Sequence, residues 1–307
     1  MMNTNTIKAN PFKKNIRKIR YFTSYVSLFL MLISVAALGF KGLNMGLDFT
    51  GGMVTEVQLD RGVNRADVME ALSPSLGELA TVTSAGEEGR WVIRYPIPEV
   101  GEQVVNFERT LSITSSQVDV LSNSMVGSQV GDDLVNQGGL ALMISMMTIL
   151  AYLCFRFEWR LASGSLLALL HDVVLVLGFF AATQMEFNLT VFAAVLAILG
   201  YSLNDSIIIA DRIREFLIAK QETPTAEITD NAVLATFSRT LVTSGTTLIT
   251  VSALWLLGGS ALEGFATAMF IGILSGTWSS ISIGTVLPEW LRLEPQHYLP
   301  VEVDSAP

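Results

Sequence analysis

AILGYSLNDSIIIADRIREF, residues 197–216, is an apolar run that carries Asn204 and Asp205 inside it and ends in Asp211, Arg212 and Arg214. In a soluble protein such residues line a ligand site. In a membrane helix an acid is expensive and has a job there by default. Which solvent surrounds the stretch decides between the two, and the composition of the chain answers. Of 307 residues, 50% are hydrophobic and 15% charged, with mean hydropathy +0.49. A soluble domain carries about 25% charged residues.

Apolar runs occupy 21–40, 138–155, 161–182, 189–210, 241–258 and 264–287. Each approaches or exceeds the roughly 20 residues that a helix needs to cross a bilayer. The first follows Lys8, Lys13, Lys14, Arg17, Lys18 and Arg20 and ends in an ambiguous small-residue site, which makes it a signal anchor rather than a cleaved leader. Lys and Arg gather in FRFEWR (155–160), in the loop after DRIREF and at Arg292, whereas TQMEFNLT and LGGSALEG carry none. Positive-inside bias therefore puts both termini inside and residues 41–136 outside. Cys154 is the one cysteine, so no intramolecular disulfide forms, and its apolar setting suits packing.

Residues 41–136 hold fourteen of the 28 Asp and Glu residues. GMVTEVQL (52–59), LATVTSA (79–85), RWVIRYP (90–96) and VDVLSNSMVG (118–127) pattern as strands, with helices over NRADVMEALSP (64–74) and GEQVVNFERTLS (101–112). The order β-α-β-β-α-β is that of a ferredoxin-like domain, with its core at about 51–127. It lacks His and Cys, so metal or nucleophile chemistry is not expected there, and a fold of this kind says nothing of activity. GLNMGLDFTGG (42–52), with Gly46, Asp48, Gly51 and Gly52, reads as a connector with room for tight bends. It is no phosphate loop, since no Gly-Lys-Ser/Thr follows.

Arg20, Arg156 and Arg212 sit at run ends, where long side chains snorkel to water. Asp205 lies deeper, about 9 Å from Asp211 along a helix axis. Tyr201 and Ser202 share its face at i−4 and i−3, while Asn204 is turned toward a neighbour. Packing and proton linkage are equally open roles for that acid. The third run carries His171 and Asp172 about ten residues from its inner end, nearer mid-membrane. The fifth opens with SRTLVTSGTTLITVS, where Arg239, Thr243 and Thr247 form one row and Thr240, Ser244 and Thr247 approximate another. Hydroxyls there can bond backbone carbonyls, and Arg239 at the inner mouth suits the positive-inside pattern while remaining able to neutralise Asp205. Gly272 and Gly276 form a GxxxG pattern too common to name an interface.

A nucleotide fingerprint, HExxH and a nucleophile triad are all lacking, and no cofactor or metal set is expected. An intramembrane acid protease needs two acids at matched depth, and Asp172 counts as much deeper than Asp205. A channel would repeat polar positions along one stripe. An energy-coupled transporter and a membrane scaffold both remain open, the transporter ahead.

GLDFTGG, HDV, GYSLNDSIIIADRIRE, RTLVTSGTTL and GGSALEGF, in this order, resemble the SecF-type members of the SecD/SecF protein-export family, within the proton-driven RND-type superfamily. The likeness covers residues from about 20 to 291. It implies a polytopic α-helical membrane protein, an RND-type half with six transmembrane helices and an α+β ferredoxin-like periplasmic domain between helices 1 and 2. The divisions are then a cytoplasmic segment 1–20, helix 1 at 21–40, a periplasmic domain at 41–136, helices 2–6 over 137–290 and a cytoplasmic tail at 291–307, in the bacterial inner membrane. The resemblance also implies a SecD partner, work with SecYEG, SecA and YajC on a translocating preprotein, and use of proton-motive force. It maps the proton-linked acid onto Asp205 and the coupled arginine onto Arg239, with Asn204, Asp211 and Arg212 in support; Tyr201, Ser202, His171, Asp172, Thr243 and Thr247 are taken as further supporting positions. One departure is the loop after RIRE, FLIAKQETPTAEITDNAVLATFS, which lacks a dense basic patch for a cytoplasmic partner.

Overall fold

In hydrocarbon a backbone N–H or C=O has no water to bond, so a spanning chain must satisfy itself, and a helix does so within one segment. The computed structural model describes residues 11–77, 80–85, 88–97 and 105–298. Within these, long helices run over Pro11–Lys41 (α1), Ser128–Arg156 (α5), Trp159–Thr183 (α6), Leu189–Ala219 (α7), Thr225–Leu257 (α8) and Ser260–Ile281 (α9), the last continued by Ile283–Trp290 (α10). Between α1 and α5 come a short helix Leu47–Thr50 (α2), strands Gly52–Leu59 (β1), Thr81–Ser84 (β2), Arg90–Tyr95 (β3) and Val118–Val126 (β4), and helices Arg65–Leu76 (α3) and Phe107–Leu111 (α4). Among the described residues, six helical stretches are long and apolar enough to cross a membrane.

The helices overrun the apolar runs at several ends. A hydropathy count stops where polar residues enter, but an amphipathic helix continues while one face stays covered. The start of α8 shows this: Ile228, Thr229, Ala232, Val233 and Thr236 are buried on one side of a turn sequence that looks polar overall. Arg239 therefore lies within α8 and not at its mouth. The sixth span is the opposite case. Ser282 leaves helical geometry (φ −92°, ψ −88°), its hydroxyl bonds the Trp278 carbonyl at 2.8 Å, and Pro288 lies inside the following helix, so α9 and α10 are separate.

The four strands form one antiparallel sheet in the order β2-β3-β1-β4. Val57, Val82, Ile93 and Tyr95 from the sheet pack with Val68 and Leu72 of α3 and Phe107 and Leu111 of α4 in a single core. α3 opens on a capping box, Asn64 accepting from Ala66 and Asp67 while Asp67 accepts from the Asn64 amide. The second helix is shorter than its pattern: residues 101–104 lie outside the described ones, and Asn106 caps the helix at Phe107 by accepting from the Arg109 amide at 3.0 Å. β2 is likewise confined to Thr81–Ser84, with residue 79 outside the described ones.

Among the spans, α6, α7 and α9 form the packed centre. A methyl at Gly164 of α6 would sit 2.6 Å from the Gly284 carbonyl oxygen and 2.7 Å from Pro288 Cγ, so α10 lies directly on α6. Arg20 corrects the snorkelling assignment. Its side chain is fully buried: Nη2 is 2.8 Å from Asp230 Oδ1 and 2.8 Å from Glu289 Oε1, and Nη1 donates to Thr285 Oγ1 at 2.9 Å. Tyr21 donates to Glu289 at 2.7 Å and Arg17 pairs with Asp230 at 3.0 Å. The two acids were too distant in sequence from Arg20 to suggest themselves as partners. This cluster ties α1, α8 and α10 at one end of the bundle. Removing the buried cation leaves Glu289 with only the Tyr21 hydroxyl and Asp230 with only the exposed Arg17, so Arg20→Met is expected to cost about 3–5 kcal/mol. Thermal unfolding of purified protein checks it, and an unchanged melting point would contradict the assigned role.

Candidate functional site

Two buried carboxylates meet the hydroxyl-rich faces of α8 and α9. Asp205 on α7 is 2% exposed, and Ser244 of α8 donates to its Oδ2 at 3.4 Å. Ser244 Oγ in turn lies 2.7 Å from Thr277 Oγ1 of α9. Asp172 on α6 is fully buried; its Oδ1 is 3.0 Å from His171 Nδ1, and its Oδ2 accepts from Ser279 of α9 at 2.9 Å and from Ser202 of α7. One turn of α9, Gly276 to Ser279, thus reaches both acids.

Glycine makes that turn possible. A methyl at 276 would sit 3.2 Å from Ser202 Cβ and 3.4 Å from Asp172 Oδ2, and one at 272 would run into the Ile198 side chain. The GxxxG pair is the contact of α9 with α7. Around the site, the buried atoms His171 Nε2, Tyr201 Oη, Ser206 Oγ and Thr240 Oγ1 have no hydrogen-bond partner among the described residues.

The connector clamps the sheet domain to the bundle. The Gly46 amide donates to the Phe187 carbonyl at 2.9 Å, and the Phe187 amide donates to Asn44 at 2.8 Å. Asp48 accepts from the Leu189 amide at 2.9 Å, beside the Asn188 cap, so a connector acid helps to cap α7. Phe49 stacks on Phe187 with ring centroids 6.0 Å apart. Gly51 takes a left-handed φ of 72°, turning the chain into β1. Gly131 of α5 has no room for a side chain against the Phe49 backbone.

Two family models match the chain: "Protein export membrane protein SecD/SecF, C-terminal" over residues 106–294 and "SecD/SecF GG Motif" over 36–63. The chain belongs to the SecD/SecF family. It is 40% identical to the protein translocase subunit SecF of Vibrio alginolyticus, over 91% of this chain and 90% of that one. Against SecF of Escherichia coli O157:H7 it is 38% identical, over 93% and 90%. It superposes on crystal structures titled SecDF, one of them described as a translocon-associated membrane protein from Thermus thermophilus, with TM-score 0.76, 32% identity and 92% of this chain covered. The chain spans 39% of the length of that SecDF. A SecDF crystal structure in the super-membrane-facing form gives TM-score 0.71 at 33% identity.

Within this family member, Asp205, Ser202, Ser244, His171 and Asp172 come together, and the connector residues Gly46, Asp48, Gly51 and Gly52 lie between the bundle and β1. Other positions fall elsewhere. Arg239 is exposed and makes no ion pair or side-chain hydrogen bond among the described residues. Asn204 is exposed rather than lodged against a neighbouring helix. Thr243 and Thr247 bond carbonyls of their own helix. Asp211 pairs with Arg156 at 2.5 Å and Arg214 at 3.2 Å, and Arg212 pairs with Glu215 at 2.8 Å.

The depth difference between Asp172 and Asp205 is smaller than counting from run ends suggests: Asp172 is bonded to Ser202, three residues deeper than Asp205 on α7. The helix bounds explain the smaller offset. Asp172 stands 13 residues from the start of α6 (172 − 159) and Asp205 stands 14 from the end of α7 (219 − 205), both ends lying on the same side. What separates the two acids is their partners, since each has its own hydroxyls. Thr277 and Ser279 were not singled out from the sequence; their signal was a GxxxG pair followed at once by hydroxyl residues.

Outside the spans, burial pushes the Glu186 carboxyl up, against the pull of Arg94 and with a further rise from Asp48. A raised acid binds its proton more tightly in the docked state, so this contribution to docking is present at low pH and lost as pH rises through the raised value. Glu186→Gln is expected to flatten that dependence above the ordinary carboxylate range. Hydrogen exchange at the Gly46 and Phe187 amides against pH tests it; identical pH profiles in both proteins would contradict it.

Proposed function

We propose that this chain is the SecF-type half of a proton-motive-force-coupled accessory complex of the Sec export machinery, in which Asp205 is the proton-linked acid and Arg239 its coupled charge. The subunit is a transport component and not an enzyme. The observation that carries the proposal is a buried acid bonded by a neutral hydroxyl, with the cation on α8 exposed and without a partner among the described residues.

An ionised Asp205 only accepts, so Ser244 must donate to it and Thr277 to Ser244. A protonated Asp205 can donate, and the hydroxyls can then turn the other way. Gain of a proton therefore removes a buried charge, weakens the pull on Arg239 and reverses a chain of bonds that joins α7, α8 and α9. The connector carries the resulting shift to the sheet domain, because Asp48 caps α7 and Gly46 pairs with the α6–α7 loop. One elementary charge moving through 100 mV supplies about 2.3 kcal/mol, enough to bias two states but not to drag a long chain in one step. Many cycles are needed per preprotein.

In this proposal both termini are cytoplasmic and residues 41–136 are periplasmic, following the loop arginines. The strand order β2-β3-β1-β4 with two helices in one core supports a ferredoxin-like assignment for that domain. The length of SecDF relative to this chain supports a SecD-type half as partner, with the Arg239 and Asn204 faces of α8 and α7 free to meet it. SecYEG, SecA, YajC and the translocating preprotein complete the proposed assembly.

In vesicles with an imposed proton gradient, Asp205→Asn and Arg239→Met proteins that assemble with their partner half are expected to lose the gradient-dependent part of preprotein translocation. Near-normal stimulation in both would refute proton coupling and leave a scaffold that stabilises the translocon.

A further inference from the structure

We propose that His171 and Asp172 form a second proton-holding site of the bundle, linked to Asp205 through Ser202 and one turn of α9. The proposal rests on Asp205 being proton-linked and goes beyond it, since the family resemblance assigns the pair no role.

The geometry carries it. A fully buried carboxylate is tolerated only where donors surround it. Asp172 has three: His171 Nδ1 at 3.0 Å, Ser279 Oγ at 2.9 Å, and Ser202 Oγ. With Nδ1 donating, the imidazole keeps one nitrogen, Nε2, which is buried and without a partner among the described residues. A bare Nε2 leaves the pair with net charge −1. A proton added at Nε2 gives an imidazolium–carboxylate pair of net charge 0. That is the same change in charge that Asp205 undergoes when its carboxylate takes a proton.

The two sites are wired together twice. Ser202 bonds Asp172 and stands three residues, about 4.5 Å of rise, from Asp205 on the same face of α7. On α9, Ser279 bonds Asp172 while Thr277 lies against Ser244, which bonds Asp205. Other charges on the elements packed against α6 are compensated or remote. Arg20 and Arg17 of α1 balance Glu289 of α10 and Asp230 of α8; Lys41 bonds a carbonyl at the far end of α1; Arg156 of α5 pairs with Asp211. Glu263 of α9 is 16 residues from Ser279 (279 − 263), and Tyr201 of α7 is neutral. Asp205 is thus the acid that the pair senses. Two negative sites in one low-dielectric core disfavour each other, so each holds its proton more readily while the other lacks one.

The chain has two histidines, and His297→Gln leaves His171 as the single imidazole. Nitrogen-15 NMR of the histidine-labelled full chain, in lipid with its SecD-type half, reads the titration of His171 directly. With Asp205 present the imidazole is expected to hold its proton to higher pH than in the Asp205→Asn protein. Should that variant fail to assemble, Ser202→Ala, which cuts one of the two links, is expected to reduce the response of His171 to titration of Asp205. Coincident titrations in all proteins, or an imidazole that never titrates, would overturn the proposal. The infrared carboxyl band of Asp205 in the same samples separates the two failures. If it appears and vanishes with pH while His171 is indifferent, only the second site is lost. If it never changes, the proton-linked role of Asp205 fails instead.

Discussion

The close approach of α9 to α7 at Gly272 and Gly276 is the contact on which the functional part of this bundle depends. Without a hydrophobic driving force between helices in lipid, association rests on packing and interhelical hydrogen bonds, and small residues let backbones come near enough for both. Here the glycines admit Ile198 and Ser202 and thereby bring Thr277 and Ser279 to the level of two buried acids. The acids would be intolerable in an apolar core of larger residues. The hydroxyls would have nothing to bond but their own helix carbonyls, as Thr243 and Thr247 do.

The two ends of the bundle are held differently, and the difference bears on how motion could leave the site. At one end the fully buried Arg20 joins α1, α8 and α10 through charge pairs with the half-buried Asp230 and Glu289, with the exposed Arg17 on the outer side of Asp230. At the other the connector is held by backbone bonds, one aspartate and stacked phenylalanines, contacts that can be made and broken singly. A rearrangement that begins at Asp205 meets a fixed end and a yielding one, and the sheet domain hangs from the yielding end.

Hydropathy and loop charge made the six apolar runs legible, because length and polarity are local properties. The same was true of β1, β2 and β3, whose alternation survives even where β2 is short. Asp205 was legible as an acid in the wrong solvent. What escaped was everything set by pairs distant in sequence. Arg20 looks like any basic residue before a span until Asp230 and Glu289 fold onto it. The offset in depth between Asp172 and Asp205 is overstated by the apolar runs because the true helix ends lie beyond them. Arg239 was placed at a helix mouth because the amphipathic start of α8 resembles a loop. Thr277 and Ser279 carried a signal only once Ser202 was known to lie opposite.

The central claim, that a proton on Asp205 changes how α7, α8 and α9 pack, is tested most directly by distance. Spin labels at Tyr152 of α5 and Thr250 of α8, both exposed, in a Cys154→Ala background would report the separation of the peripheral helices in the lipid-embedded complex. The account predicts a distance distribution that changes between alkaline and acidic pH, and that in Asp205→Asn is fixed in its acidic form. A pH-independent distribution in the Asp205 protein, or an equal pH response in Asp205→Asn, would contradict it.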